Sequence, residues 1–392
     1  MGGYSFYNPV LIIQDAELSK AIMVKDFDAF IDRNGPKVAK LFNRTNQRAD
    51  TLMMQQMTNA QGEKWKNLRT TFTPIFTSGK MKAMMVFVNE TSNRMVAELD
   101  KVEESREPFE AKSYLGKFSM DTIASCAFGV DAKVYSDEKS IFVEYASKLF
   151  QQDFKTMLKF LLMLIPKVGP ALIRFFQISL TPAKETEFFY DIILQTLRQR
   201  KLSKVRRNDL IDMMIDAVKG DLEEEVNEED QEQFDKDAKL ELKIVKKSTL
   251  DEEAIVATAL VIMVAGYDTT GSTLSFACYQ LAKNPAVQDK LREEVAEVLE
   301  AKDDDLKYED VKKLTYMDQV LAETLRYHTP IGLLQRTSAR DYKIPQSNVI
   351  LKQDTEIFIS PMAMHFDPKH YQNPEEFDPE HFSSEAKSKR HP

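Results

Sequence analysis

The segment from residue 249 to residue 281 constrains the fold of this 392-residue chain more than any other part of the sequence. It opens on Thr249 and a run of acids at 251–253, residue types that favour the start of a helix. The turns that follow are apolar nearly all round, from residue 254 to residue 265. A helix without a polar face lies buried in the centre of a large domain. We therefore predict one central helix around which the other elements pack.

The rest of the chain predicts a mainly α fold with a smaller β region, formed as a single domain over residues 1–392. Glycine is sparse, at 12 residues, and strong helix formers dominate the composition. Helical periodicity is clear at residues 184–200 and 316–327, on either side of the central helix. The predicted strands are short, and they fall at residues 10–13, 348–351 and 355–359.

Acidic residues are concentrated in residues 220–247, a segment with few apolar side chains. This composition predicts an exposed, mobile loop within the domain, and a partner-binding segment is the alternative. The whole chain has a formal net charge of −9. An acidic balance of that size argues against general affinity for nucleic acid.

Polar residues interrupt the central helix at Ala265-Gly266-Tyr267-Asp268-Thr269-Thr270. The Thr269 hydroxyl can donate to the carbonyl of Ala265, which loosens and bends a helix. Together with a gap at Gly266, this predicts a groove in an apolar wall, with a hydroxyl and a carboxylate at its edge. The alternative is a packing kink in which Gly266 makes a helix–helix contact.

Glu323 and Arg326 stand three residues apart on a predicted helix and can pair on one face. The same spacing occurs at Glu103 and Arg106, in a plainly charged stretch, so the spacing alone carries little information. The apolar neighbours of Glu323 and Arg326 predict that this pair is buried. A buried pair must be fully hydrogen-bonded, which indicates a structural role.

Two further motifs are a pair of N–H donors on one helix face and a turn-like segment near the end of the chain. Trp65 and Arg69 share a helix face and both offer N–H donors, which fits either a surface cation–π pair or a grip on a carboxylate. Near the end of the chain, residues 377–382 read Phe-Asp-Pro-Glu-His-Phe. His365 and His370 lie in a turn-like run and are interpreted as turn residues, not as metal ligands.

The two cysteines, Cys126 and Cys278, form neither a disulfide framework nor a CxxC metal site, and they suit a reducing compartment. Each lies in an apolar helical context that predicts a small buried side chain. The most apolar stretch, residues 157–178, also contains three basic residues and two prolines, so it cannot cross a bilayer as one helix. It fits a cover over a hydrophobic core or a segment on a membrane surface, and composition favours the cover.

The four motifs, in this order, resemble those of the cytochrome P-450 family. Trp65 and Arg69 resemble the family's WxxxR helix, and residues 265–270 resemble its [AG]GxxTT oxygen-binding motif. Glu323 and Arg326 resemble its ExxR helix, and residues 377–382 its FxPERF segment. The likeness is greatest to microsomal animal and arthropod monooxygenases that act on xenobiotics or steroids.

The resemblance implies a role for each motif residue around a haem cofactor. Thr269 would help to deliver a proton to dioxygen at the haem, and Asp268 would feed that relay. Ala265 and Gly266 would leave room for dioxygen, while Glu323 and Arg326 would hold the core beneath the haem. The residues expected to bind the haem propionates are Trp65, Arg69, Arg336 and, more weakly, Arg33.

The sequence departs from the family pattern in three places. The FxxGxRxCxG loop, whose cysteine binds the iron, does not follow Phe382, so no metal ligand is assigned and this chain alone is expected to be inactive. The family's N-terminal membrane helix is also not found in this sequence, so the fold is expected to be incomplete at both ends. His381 replaces an arginine that normally joins the ExxR pair, which would weaken that network.

The resemblance also implies partners for the full-length protein. These are a lipophilic small-molecule substrate, an NADPH–cytochrome reductase that supplies electrons, and the cytoplasmic face of the endoplasmic reticulum membrane. Residues 157–178 would line the substrate entrance and touch that membrane. The alternative to a monooxygenase is a haemless helical protein that serves in binding or as a scaffold.

Overall fold

The structure is a computed structural model that describes residues 1–5, 8–33, 47–135, 140–150, 154–163, 165, 168–203, 206–219, 250–300 and 306–390. The acidic segment 220–247 lies outside the described residues, and its assignment as an exposed loop stays a prediction. The fold is mainly helical with a small sheet, as the sequence predicts.

The N-terminal part contributes two strands and a short helix. β1 (Gly2–Ser5) pairs antiparallel with β2 (Asn8–Ile13), which confirms the strand predicted at residues 10–13. α1 (Ala16–Lys20) begins at Asp15, whose carboxylate accepts a hydrogen bond from the Leu18 N–H at 2.8 Å. The helix then widens into a π-helical turn over Ala21–Lys25.

Helices of very different length precede the central one. They are α2 (Arg48–Gln55), α3 (Gly62–Phe72), α4 (Ser78–Ser105), α5 (Ala111–Ile123), α6 (Ile141–Phe150), α7 (Phe154–Met163), α8 (Val168–Phe175), α9 (Ala183–Leu202) and α10 (Leu210–Lys219). α9 confirms the helix predicted at residues 184–200.

α11 (Glu252–Lys283) is the central helix that the sequence predicts. The Asp251 carboxylate caps its first turn by accepting a hydrogen bond from the Ala254 N–H at 2.7 Å. Residues 254–260 are all buried, and α2, α5, α6 and α9 pack around the helix. Among the described residues, α11 is the one helix long and apolar enough to cross a membrane, and 56% of its most apolar window is buried within the fold. Its surroundings here are other helices of the same domain core.

The C-terminal part combines helices with the remaining strands. Its elements are α12 (Pro285–Glu300), α13 (Tyr308–Val311), α14 (Thr315–Tyr327), β3 (Leu334–Thr337), β4 (Tyr342–Lys343), β5 (Ile350–Leu351), β6 (Glu356–Ile359), α15 (Pro361–His365), a 3₁₀ turn (Pro379–Phe382) and α16 (Ser384–Lys389). The Glu294 carboxylate fixes the start of α14, because it accepts from the backbone N–H groups of Tyr316 and Met317 at 2.7 and 3.0 Å.

The main sheet joins the two ends of the chain. Its strand order is β1-β2-β6-β3, with β2 parallel to β6 and β3 antiparallel to β6. In this register Ile13 lies opposite Ile359, and Arg336 lies opposite Ile357. β4 and β5 form a separate two-stranded ribbon. One hydrophobic cluster surrounds α11, and a smaller one, which includes Ile22 and Phe30, packs against the sheet.

The apolar stretch at residues 157–178 forms α7, α8 and the turn after α8. Composition favoured a cover over the core, but the structure leaves most of its described large apolar side chains exposed, and of these Ile173 is buried. Phe175 and Phe176 are the most exposed, at 79% and 65%. The helices are short and apolar on more than one side, so one face packs while another remains on the surface.

Candidate functional site

The polar interruption of α11 has the local hydrogen bond that the sequence predicts. The Thr269 hydroxyl donates to the Ala265 carbonyl at 2.6 Å. Thr273 and Ser275 repeat the pattern toward the carbonyls of Thr269 and Gly271, at 2.8 and 2.6 Å. Hydroxyls bonded to their own helix in this way are satisfied without a partner from another element. Helical hydrogen bonding continues through the whole stretch.

Gly266 lies in a helix–helix contact, the packing alternative, and does not leave a gap. A Cβ atom at this position would stand 3.1 Å from Cδ1 of Ile123 on α5. Gly271 is equally close to a backbone, since its Cβ would stand 3.1 Å from Cα of Gly116. These glycines let α5 and α11 approach closely. Neither Ala265 nor Gly266 lines the main cavity described below, so the prediction that they leave room for dioxygen there has no support from the contacts of this helix.

The main cavity has a volume of about 600 Å³ and lies between α11, α14, the start of β3 and the 3₁₀ turn. Its lining is largely apolar and includes Leu325, Ile331, Leu334 and Phe382, with Thr269 as the contribution of α11. A concave, mostly apolar space with a few polar groups is the usual form of a small-molecule or cofactor site.

Asp268 lines a different cavity from Thr269, contrary to the prediction that both stand at the edge of one groove. Its carboxylate Oδ1 lies 3.5 Å from Nζ of Lys112, at the start of α5. Successive residues on a helix point about 100° apart, so a helix that continues through 268 and 269 turns their side chains to different neighbours. Nothing in the sequence around Lys112 signalled this pairing.

Three arginines that the sequence connects with propionates come together beside β3. The Asp32 carbonyl accepts from the Thr337 N–H at 2.8 Å, which brings Arg33 close to Arg336. Burial, and then the positive charge of Arg33, lowers the pKa of Arg336 to about 10. Desolvation, and then the charge of Arg69, lowers the pKa of Arg33, although the Arg33 residue remains exposed to solvent. Cations that depress one another's pKa would be stabilised by a bound anion.

The hydrogen bonding of these arginines also fits the anionic edge of a cofactor. Arg336 is 7% exposed, and its Nε is buried without a hydrogen-bond partner, while Nη1 donates to the Gln335 carbonyl at 2.8 Å. Leu334, which lines the main cavity, lies on the same face of β3 because side chains alternate along a strand. None of the three arginines lines that cavity itself. A group held there could extend a carboxylate toward Arg336.

Trp65 is buried and packs its ring against Phe27, with 5.5 Å between the ring centroids. The surface cation–π alternative for this residue is therefore wrong, because the indole belongs to the main hydrophobic cluster. Arg69 is one turn further along α3 and is partly buried.

The Glu323–Arg326 pair is buried, as the sequence predicts. Arg326 is 1% exposed and Glu323 is fully buried. The guanidinium donates from Nε and Nη2 to the two carboxylate oxygens, both at 2.7 Å. It also donates to the carbonyls of His365, Pro374 and Glu376, at 2.9 to 3.0 Å. All five N–H groups of the guanidinium are thus hydrogen-bonded. Those to the carbonyls tie α14 to the chain between α15 and the 3₁₀ turn.

His381 takes part in this network although it replaces the arginine of the family pattern. Its Nδ1 lies 3.1 Å from the Glu323 carboxylate and its Nε2 lies 2.6 Å from the Gln372 carbonyl. The same carboxylate accepts from the Asp378 N–H at 2.9 Å. Each ring nitrogen of His381 therefore faces an oxygen of another residue. The expected weakening of the network is not visible in these contacts.

Neither cysteine stands at the main cavity. Cys126 is buried, as predicted, and burial raises the pKa of its thiol to about 12. Cys278 is exposed, contrary to the prediction, because its apolar neighbours in the sequence do not reveal which face of the helix meets solvent. Within the described ranges no three His, Cys, Asp or Glu side chains group together as a metal site. His365, interpreted as a turn residue, lines the main cavity, and its Nδ1 lies 3.1 Å from the Arg326 carbonyl.

Comparison with known proteins identifies the family. The cytochrome P-450 family model matches residues 4–392. Cytochrome P-450 6B7 of Helicoverpa armigera is 34% identical over 392 residues, which cover 100% of this chain and 72% of the relative. Cytochrome P-450 6k1 of Blattella germanica is 32% identical, with 100% and 71% covered. The probable cytochrome P-450 6a13 of Drosophila melanogaster is 35% identical, with 100% and 71% covered. The chain therefore belongs to the cytochrome P-450 family of haem-binding monooxygenases.

Proposed function

We propose that the intact protein inserts one oxygen atom from dioxygen into a lipophilic substrate, such as a xenobiotic or a steroid. The observation that carries this proposal is the main cavity, which has largely apolar walls, Thr269 on one side and the arginine-bearing strand β3 on the other. Apolar walls exclude water and favour a lipophilic ligand. Residues 1–392 would form one domain, in keeping with the single family match over residues 4–392.

The residues beside β3 fit a haem. Arg336, Arg33 and Arg69 would bind its propionates, because a cluster of cations with an unpartnered buried N–H is matched by carboxylates. Trp65 would support this group from the hydrophobic cluster. When bound, haem supplies the redox chemistry that activates dioxygen.

The remaining residues position the site and move protons. The Thr269 hydroxyl donates a hydrogen bond to the Ala265 carbonyl and would hold a proton at the cavity wall. Asp268 would supply that proton from a neighbouring face of the helix, about 100° away. The Glu323–Arg326 pair would keep α14 rigid beneath the cavity.

Electrons would come from NADPH through a cytochrome reductase, and the protein would lie on the cytoplasmic face of the endoplasmic reticulum membrane. The exposed apolar side chains of α7 and α8 support contact with a membrane surface beside the substrate entrance. The 392-residue chain by itself is expected to be inactive, because Cys126 and Cys278 both lie away from the main cavity.

The carbon monoxide difference spectrum of the full-length, haem-loaded protein tests the proposal. A thiolate-type Soret shift would support a monooxygenase, whereas its absence would leave a helical binding protein. The change Thr269→Ala should then uncouple NADPH consumption from product formation and leave haem content unchanged. Equal coupling in the variant and the parent would remove Thr269 from proton delivery.

A further inference from the structure

His328 lies directly after α14 and stacks its ring on the central helix. The ring is nearly parallel to that of Phe276 on α11, with 4.1 Å between the centroids and 6° between the planes. Its Nε2 lies 2.7 Å from Nε2 of Gln280, a residue that is 3% exposed. His328 is therefore held on α11 by one stacking contact and one hydrogen bond.

Phe276 and Gln280 lie on the face of α11 that contributes Thr269 to the main cavity. At about 100° per residue, the positions seven and eleven residues after Thr269 return to within about 20° of its direction. Phe276 stands about 10 Å further along the helix axis than Thr269. The contact made by His328 thus continues the cavity wall along the same stripe of the helix.

The three residues that follow His328, at positions 329–331, all line the main cavity, whereas His328 itself does not. This segment, called here the 329–331 wall, has weak support of its own. The hydrogen bond from the Thr329 hydroxyl to the Ile331 carbonyl is long, at 3.4 Å, and Pro330 has no N–H to donate. The distance between the wall and Thr269 across the cavity therefore depends on where His328 is held on α11.

Neighbouring hydrogen bonds determine which form of the His328 ring fits this place. Nδ2 of Asn284 donates to the Gln280 backbone carbonyl at 2.8 Å, which identifies that atom as the nitrogen, and it lies 3.4 Å from Gln280 Oε1. The Gln280 side chain must then present its oxygen to Asn284 and its N–H to His328. Nε2 of His328 must accept, which requires the neutral ring with its proton on Nδ1.

The surroundings of the ring also favour its neutral form. Burial, and then the positive charge of Lys283 on α11, lowers the pKa of His328. The face of Phe276 attracts a cation and opposes this effect, but it does not outweigh burial and the charge of Lys283. Two further titratable side chains face the ring, Tyr279 from α11 and Tyr327 from α14, at 6.4 and 5.1 Å between centroids. A protonated ring would turn a donor toward the buried amide N–H and lose that hydrogen bond.

We propose that His328 is a positioning residue for the 329–331 wall, and that the neutral ring is the form that holds this wall against α11. The inference rests on the function proposed above and adds a pH dependence to substrate binding. The ring takes up its proton below about pH 6.5, the ordinary value for histidine, because its pKa is lowered. Since the arrangement that binds substrate contains the deprotonated ring, proton uptake should release the wall and weaken substrate binding.

The test uses the full-length holoenzyme and ethoxycoumarin, a neutral lipophilic fluorophore whose own charge does not change with pH. Its dissociation constant is measured by fluorescence at about pH 7.5 and about pH 5.5, on either side of the ordinary histidine value. His328→Phe keeps a ring on Phe276 and removes the titrating nitrogens. Gln280→Glu places a carboxylate where it can accept from the protonated ring. The matched controls are His370→Phe and Gln288→Glu, since neither residue lines the main cavity.

The parent should bind the probe about threefold or more weakly at the lower pH, with no more than one proton linked to binding. His328→Phe should bind equally at both pH values, and more weakly than the parent does at the higher one, because it lacks the hydrogen bond throughout. Gln280→Glu should keep its affinity at the lower pH, since the carboxylate holds the protonated ring. Both controls should follow the parent.

Amide hydrogen exchange of residues 329–334 provides a readout that needs neither ligand nor turnover. At one fixed pH, His328→Phe should raise the exchange rate there by about threefold or more, while exchange in α9 and in the His370→Phe control stays at the parent rate. Unchanged exchange would overturn the inference, and so would a loss of affinity at low pH that persists in His328→Phe, because another group such as His365 would then be its cause. A probe that binds with the expected pH dependence but is never oxidised would count against the proposed function alone.

Discussion

Replacement of Arg326 by lysine isolates what the buried guanidinium does. Lysine keeps the positive charge opposite Glu323, so the buried carboxylate is not left without a cation. What changes is the hydrogen bonding. The guanidinium makes two bonds to Glu323 and one each to the carbonyls of His365, Pro374 and Glu376. An ammonium group has three donors, so at least two of these acceptors lose their partner.

The expected loss follows from burial. An acceptor left unpaired in the interior costs about 1–3 kcal/mol, and two of them give roughly 2–6 kcal/mol of lost stability. That loss is a large part of the roughly 5–15 kcal/mol that holds a typical domain together. Arg326→Lys should therefore lower the urea midpoint strongly while the protein still folds in the absence of denaturant.

Urea unfolding followed by circular dichroism provides the measurement, and the chain offers its own control. Glu103 and Arg106 repeat the same spacing at the exposed end of α4, where Arg106→Lys should change stability by about 0.5 kcal/mol or less. Similar midpoint shifts in the two variants would refute the reasoning, because the fully bonded guanidinium would then contribute no more than a surface arginine.

Other variants test other parts of the site. Arg336→Gln should stabilise the haem-free protein by up to about 3 kcal/mol, the equivalent of the lowered pKa of Arg336, yet reduce the haem content of the holoenzyme. If both the stability of the haem-free protein and the haem content fell, the assignment of an anion site would be contradicted. Gly271→Ala should destabilise by about 1–2 kcal/mol in thermal unfolding, since its Cβ would press on the Gly116 backbone, and a neutral result would deny that close contact. Burial lowers the pKa of His365, so the unfolded chain takes up this proton first and stability should fall as pH drops below about 6.5; His365→Asn should flatten that part of the pH–stability curve, and an unchanged curve would exclude His365 as the cause.

Features that depend on neighbouring residues in the chain could be predicted from the sequence. The central helix, its acidic start and the bond from Thr269 to Ala265 all follow from local propensity and side-chain chemistry. The burial of Glu323 and Arg326 followed from the apolar residues on either side of them. In each case the deciding interactions lie within about one or two helical turns.

Features that depend on distant partners could not be predicted. Gly266 meets Ile123, and Asp268 meets Lys112, through a packing of α5 against α11 that no local pattern specifies. The same holds for the face of α11 on which Cys278 lies, since an apolar helix gives no sign of its orientation. The group of Arg33 and Arg336 depends on a contact between the two ends of the chain, and only the resemblance to a family pointed to it.

Positive charge is concentrated at Arg33, Arg69 and Arg336, so binding of an anionic ligand is coupled to the stability of the folded protein. An anion that binds this group favours the folded state over the unfolded chain by mass action. The amount of folded protein in a cell would then depend on cofactor supply as well as on the rate of synthesis. Cells short of cofactor would lose molecules to degradation, and the molecules that remained would keep their full turnover.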